Sequence, residues 1–221
     1  MRLLYRLAFV ALVGAAPAAA GTIDGTVSLD PADLAIRDHS MSDPYVGQLS
    51  AAAHGASLEA AADTAYGVAW VADLGPGGEP PPPPARMDQA GQQFVPRILV
   101  IVAGQSVEFH NSDNVYHNIF SYSPPKRFDL GRYPKGHSRT VSFAKSGVVQ
   151  IYCDIHSDMR ADLIVAPSER YALISRSGRF RIKDVPAGSR TVKVWLPSSG
   201  VHLASVEVPV DGVAPLEMTV R

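Results

Sequence analysis

The sequence predicts an all-β chain made of two β-sandwich units. Three observations carry that expectation: short apolar–polar alternations broken by Gly, Pro, Asn and Asp turns, a run of five prolines that divides the chain, and the weakness of any helical signal beyond that run. Alternation gives each strand one face for a core and one for water.

The first twenty residues are set aside as a secretory signal peptide. Arg2 and Arg6 form a basic start, Leu7 to Gly14 an apolar stretch, and Ala16-Pro17-Ala18-Ala19-Ala20 a small-residue end suited to cleavage. The apolar part is too short to span a bilayer, and no later stretch is long and apolar enough to do so. The expectation is an exported protein, periplasmic in a bacterium, without an integral membrane segment once the signal is removed.

The chain of 221 residues has 20 Lys+Arg against 21 Asp+Glu, and the leader holds two of the basic residues and no acid. A mature chain with 18 against 21 is weakly acidic and has no basic block, which gives nucleic acid no electrostatic footprint. One cysteine, Cys153, cannot pair within its own chain. In an oxidising compartment it is a buried small hydrophobe, a link to another chain, a reactive thiol, or a metal ligand. The count alone favours the buried reading, and its neighbours reverse that.

Along the chain, Gly21 to Leu29 reads as an opening strand, Leu49 to Ala62 as a short helix in an otherwise loop-like Ala-rich stretch, and Tyr66 to Val71 as a β run. Gly75 to Pro84 can be neither helix nor central strand and is expected to be a stiff, extended connector. Beyond it, Ile98 to Val102, Val107 with Phe109, Thr140 to Ala144, Val148 to Cys153 and Leu163 to Val165 are strands. Val149, Ile151 and Cys153 share one face. A second β unit begins near Tyr171, with Phe180 and Ile182, then Val192, Val194 and Leu196, then Ala204, Val206 and Val208, and finally Leu216, Met218 and Val220 on their respective strand faces. About fifty residues are few for an independent core.

Chemistry-bearing residues concentrate in two segments, 109–120 and 152–159. The second is Tyr152-Cys153-Asp154-Ile155-His156-Ser157-Asp158-Met159, and the first supplies His117, 36 residues before the cysteine. Thiolate, two imidazoles and a thioether form a soft to borderline donor set that selects copper; two His and a Cys in a near-trigonal plane with a weak axial Met is the blue-copper arrangement. Cys153 ends a strand, a short turn brings His156 and then Met159 back, and a distant loop supplies His117. The metal ligands expected are therefore His117, Cys153, His156 and Met159, with one copper as cofactor.

Here the chain resembles the plastocyanin and amicyanin group of cupredoxins. The resemblance lies in His117-Asn118, the Gly104 turn before Val107 and Phe109, the Gly147 strand, and Cys153-x2-His156-x2-Met159, whose spacing is like that of amicyanin. It covers roughly residues 84 to 167. Exported bacterial proteins labelled plastocyanin-like or methylamine-utilisation proteins are similar at Met87-Asp88-Gln89, Phe94-Val95-Pro96, Asn111-Ser112-Asp113, Phe128-Asp129-Leu130-Gly131 and Tyr133-Pro134-Lys135-Gly136. The resemblance implies a Greek-key sandwich and outer-sphere electron transfer. It also implies that Asn118 hydrogen-bonds across to the Cys-containing loop. His110 stands where the relatives carry Pro or another non-ligand. His137 is expected to be exposed, and His39, His54 and His202 to have surface roles. Phe120, Phe143 and Tyr152 are expected to be core or rim aromatics.

Ser177-Gly178-Arg179-Phe180, Asp184-Val185-Pro186-Ala187-Gly188 and Val192-Lys193-Val194-Trp195 resemble the second half of a carboxypeptidase regulatory-like or transthyretin-like sandwich, and Gly25-Thr26-Val27 fits its opening. The expected organisation is a signal peptide (1–20), an N-terminal β segment (21–75) pairing with the C-terminal unit, a cupredoxin domain (84–167) and a carboxypeptidase regulatory-like β unit (168–221). A tandem arrangement is the alternative. The leading functional expectation is a non-enzymatic carrier of single electrons between protein redox partners. A copper-binding module for delivery, storage or sensing is the alternative, and a scaffold with a vestigial site is a third reading.

Overall fold

The computed structural model describes residues 19–28, 65–75 and 81–220. The leader up to residue 18, the expected helix at Leu49 to Ala62 and residues 76–80 of the connector lie outside them. The described strands of the N-terminal segment are β1 (Ala20–Ser28) and β2 (Gly67–Val71). There follow β3 (Ala85–Ala90), β4 (Gln93–Val95), β5 (Ile98–Val102), β6 (Ser106–Asn111), β7 (Phe120–Ser121), β8 (Phe128–Asp129), β9 (Ser138–Ser142), β10 (Gly147–Tyr152) and β11 (Arg160–Ala166). The C-terminal strands are β12 (Tyr171–Ile174), β13 (Arg179–Pro186), β14 (Gly188–Leu196), β15 (Gly200–Val208) and β16 (Val213–Thr219). The fold is all-β, and among the described residues no helix is long and apolar enough to cross a membrane.

Four sheets form, in the orders β13-β1-β16, β12-β2-β14-β15, β5-β11-β10-β7-β8 and β4-β3-β6-β9. The N-terminal strands take central places in the first two. β1 lies antiparallel to β13 and parallel to β16, and β2 lies antiparallel to both β12 and β14. Gly25 is needed on β1 because the ring of its register partner Phe180 lies where a Cβ would stand. Asp73, just past β2, accepts from the Thr191 N–H at 2.7 Å and from Arg190 at 3.2 Å, which fastens that end of the strand to β14.

Three cores separate the four sheets. Ile23, Val27, Phe180, Ile182, Val192, Val194 and Leu196 belong to the first, between the two flanking sheets. Met87, Phe94, Phe109, Phe143, Val149, Ile151 and Leu163 belong to another, inside the central sandwich. The third joins the two units: Val68, Trp70 and Trp195 pack on Ile98, Ile164 and Ala166. β2 is buried along its whole length and β11 on both faces over Leu163 to Ala166 for this reason. A strand covered on both sides reads as a continuous apolar run instead of an alternation.

Sequence patterning did not show β3, β4, β7 and β8. β3 and β4 form a hairpin around Gly91 (φ 63°) and Gln92 (φ 59°), a tight turn with two successive residues in the left-handed region. β7 and β8 are two residues long each, too short to leave an alternation.

Residues 171–221 alone would lack the central strand of one flanking sheet and an interior strand of the other. Such a fragment is expected to be unfolded, with poor amide dispersion in its NMR spectrum. A well-dispersed spectrum would show that the C-terminal strands hold a core without β1 and β2.

Candidate metal centre

The antiparallel ladder of β10 and β11 runs from Gly147 opposite Val165 to Tyr152 opposite Arg160. Residues 153–159 are the loop that closes it, so Cys153 and Met159 flank the last rung. The Cys153 N–H donates to the Met159 carbonyl at 3.3 Å, and the Met159 N–H donates to the His156 carbonyl at 3.1 Å. This compact turn makes the three-residue spacing of Cys, His and Met productive. The Ile155 N–H points at Cys153 Sγ at 3.4 Å, a donor suited to a thiolate.

His117 arrives from the other side of the sandwich on the loop after β6. It forms an isolated antiparallel bridge with Tyr133, donating to its carbonyl at 3.3 Å and accepting from its N–H at 3.0 Å. The fully buried Asn111 shapes the loop: its amide nitrogen donates to the carbonyls of Val115 (2.9 Å) and Tyr133 (3.0 Å), and its side-chain oxygen accepts from the Asp113 N–H at 2.9 Å. Sequence reading named Asn111 only within a shared Asn-Ser-Asp motif and gave it no role, although its place in a turn-rich Asn-Ser-Asp-Asn stretch was the available signal.

The two segments bring His117, Cys153 and His156 together, with one ligand atom of each within 4.8 Å of the others. His117 Nδ1 lies 3.1 Å from His156 Nδ1 and 3.9 Å from Cys153 Sγ. His117 is 0% and Cys153 6% exposed, whereas His156 is partly exposed. Met159 is buried beside the cluster, tied through its backbone to both other members of its loop. The fold is all-β and multi-sheet, consistent with a cupredoxin-type β-sandwich architecture. The three clustered side chains form a candidate copper site, since a thiol and two imidazoles are the donors that metal prefers.

No family model and no curated protein matches the chain. Solved structures are similar over part of it. A Cu-containing nitrite reductase from Thermus scotoductus SA-01 is 26% identical with a TM-score of 0.36, over 37% of this chain and 22% of that one. A purple cupredoxin from Nitrosopumilus maritimus is 24% identical with a TM-score of 0.34, over 37% of this chain and 99% of that one. A reduced amicyanin variant is 19% identical with a TM-score of 0.35, over 37% of this chain and 81% of that one. The present chain's own sheets and loops carry the structural assignment.

The other histidines stand apart. His110 Nδ1 pairs with Ser138 Oγ at 2.9 Å, and that hydroxyl donates to Glu108 at 2.6 Å, so the ring belongs to a polar row across β6 and β9. His137 is exposed and His202 pairs with Ser199 at 2.9 Å; His39 and His54 lie outside the described residues. Phe143 is core, while Phe120 and Tyr152 pack at the rim with centroids 5.9 Å apart. Asn118 departs from the role its resemblance implied. Its side-chain oxygen accepts from the N–H of the next residue, Ile119, at 2.7 Å. With that oxygen turned onto its own backbone, no side-chain bond from Asn118 to the cysteine loop occurs among the described residues.

Three electrostatic features frame the cluster. Asp113 approaches His117 Nε2 at 2.8 Å; burial alone would raise its pKa, but the Gln92 N–H, the His117 ring and the Gly91 N–H together hold it below its ordinary value. Burial pushes the Tyr133 phenol well above its usual range, which the hydrogen bond from Gln89 only partly offsets. That phenol donates to the Phe109 carbonyl at 3.2 Å and accepts from Gln89 Nε2 at 2.8 Å. The Arg132–Asp154 pair, at 3.1 Å, reaches the ligand loop from solvent and is worth about 0–1 kcal/mol.

Tyr133→Phe removes a buried hydroxyl that satisfies two partners, Gln89 on β3 and the Phe109 carbonyl on β6. It is expected to destabilise the metal-free full chain by about 1–3 kcal/mol in urea unfolding. An unchanged midpoint would show that the hydroxyl adds nothing to the frame of the His117 loop.

Proposed function

We propose that this chain is a type 1 copper protein that carries single electrons between protein partners outside the cytoplasm. The observation that carries the reading is the convergence of Cys153 Sγ and the Nδ1 atoms of His117 and His156 from two separate loops. Nothing about a buried β-sandwich end calls for a thiol and two imidazoles there unless they hold something. When bound, copper would supply a one-electron couple between its two common oxidation states.

Each residue has a distinct part in this reading. Cys153 would bind as a thiolate, with the Ile155 N–H directed at its sulfur. His117, wholly buried, would anchor the site from the far loop. Met159, held on the same turn as Cys153 and His156, would offer its thioether as a weaker donor. His156, partly exposed, offers the edge through which an electron leaves. Exposed Val115, Tyr116 and Ile155 sit beside the ligands in sequence and give that end of the sandwich an apolar rim suited to brief protein contact. The extensive burial of His117 and Cys153 favours this reading over copper delivery or storage, which requires ready release.

The reading assigns no bond-making step and therefore no enzymatic activity. It places the protein outside the cytoplasm on the strength of its leader-like first twenty residues and its lone cysteine, which a metal would shield from oxidation. The C-terminal unit is proposed as a structural or docking element; its likeness to carboxypeptidase regulatory-like modules rests on sequence motifs.

Adding Cu(II) to the reduced, full-length mature protein is expected to produce an intense visible thiolate charge-transfer band. Cys153→Ser should abolish the band and leave the fold largely intact, and Met159→Leu should keep the colour while changing the reduction potential. A folded, reduced sample that gives no such band would defeat the type 1 assignment.

A further inference from the structure

Asp113 lies outside the ligand set, and its carboxylate is held by more donors than a surface turn requires. Oδ1 accepts from the Gly91 N–H at 2.6 Å, and Oδ2 accepts from the Gln92 N–H at 2.8 Å. Both donors come from the β3–β4 turn, whose two left-handed residues aim successive N–H groups at one point. The same Oδ2 lies 2.8 Å from His117 Nε2, and the Asp113 N–H is itself fixed by Asn111. The carboxylate is thus immobilised from its backbone and from the facing hairpin, while its remaining contact is a ring of the candidate metal centre.

An ionised carboxylate can only accept hydrogen bonds. A hydrogen on Nε2 is what that carboxylate accepts, and this turns Nδ1 toward Cys153 and His156. The approach of the two Nδ1 atoms to 3.1 Å fits this assignment, because one bare and one protonated nitrogen can share a hydrogen bond at that distance.

We propose that Asp113 is the positioning residue of the centre: it locks His117 in the Nε2–H tautomer, fixes the ring plane, and makes the β3–β4 turn part of the metal-site scaffold. Bonding of this kind orients an imidazole and makes it a stronger donor, and its loss typically weakens metal binding by about 10- to 100-fold. The proposal rests on the copper reading for its consequence, although the tautomer it assigns belongs to the metal-free chain.

The test uses the full-length mature protein and two variants, Asp113→Asn and Asp113→Ala. In metal-free protein, nitrogen-detected NMR of the histidine rings is expected to show a single Nε2–H tautomer for His117. Asp113→Asn should shift that ring toward a mixture while the amide spectrum stays dispersed, and copper affinity measured by chelator competition should fall by about 10- to 100-fold. Should Asp113→Ala fail to fold, the near-isosteric Asn variant carries the test by itself. An unchanged His117 tautomer in a folded Asp113→Asn protein would overturn the proposal, as would affinity within about threefold of the parent. A tautomer that shifts on substitution, in a parent that binds no copper, would uphold the positioning role and refute the copper reading.

Discussion

The β10–β11 ladder is the interaction on which the site depends. Its last rung, Tyr152 opposite Arg160, sets the mouth of a seven-residue loop whose ends are Cys153 and Met159. Once that register is made, Cys153, His156 and Met159 have no freedom to separate. A slip of one residue would turn Val149, Ile151 and Cys153 away from the core, and the burial of the two aliphatic side chains opposes it at about 1.5–3 kcal/mol each. Position of the thiol is thus enforced by apolar packing several residues away. His117 depends on a separate constraint, the backbone bridge to Tyr133 with Asn111 beneath it.

The ladder is itself held from both sides. β11 turns Ala161, Leu163 and Val165 into the sandwich core and Ile164 and Ala166 toward Trp70 and Trp195 of the flanking unit. That second contact explains why the chain carries a flanking unit that has no ligand cluster of its own among its described residues. It covers an apolar face of the central sandwich that water would otherwise meet. The strands of the flanking unit come from both sides of the central sandwich in sequence, so its completion requires the two ends of the chain to meet.

The candidate ligands were legible because their residue types are chemically unusual at that spacing. A lone Cys at the end of a β run, followed by His and Met at intervals of three, has few explanations. The strands with one covered face were legible from alternation, as in β6, β10 and β14. Legibility failed where local pattern and tertiary role part company. β3 has a buried, uncharged polar residue, Gln89, on its inward face, and its hairpin turn uses Gln92 at a position that favours glycine or asparagine. Trp195 alternates out of phase with Val192, Val194 and Leu196 and therefore reads as solvent-facing, yet it is covered by the other unit. Asn118 followed its neighbours into a familiar role by resemblance, but its oxygen accepts from the next residue of its own loop. Asp113 entered only as part of a shared Asn-Ser-Asp motif because the hairpin that holds it was not visible in the pattern.

Convergence of one sulfur and two ring nitrogens on a single metal is the central claim, and copper-edge X-ray absorption of the loaded full-length chain measures it most directly. The account predicts a nearest-neighbour shell containing a short copper–sulfur path together with imidazole scattering. A shell of nitrogen and oxygen alone, in protein whose Cys153 is reduced and whose fold is intact, would contradict it.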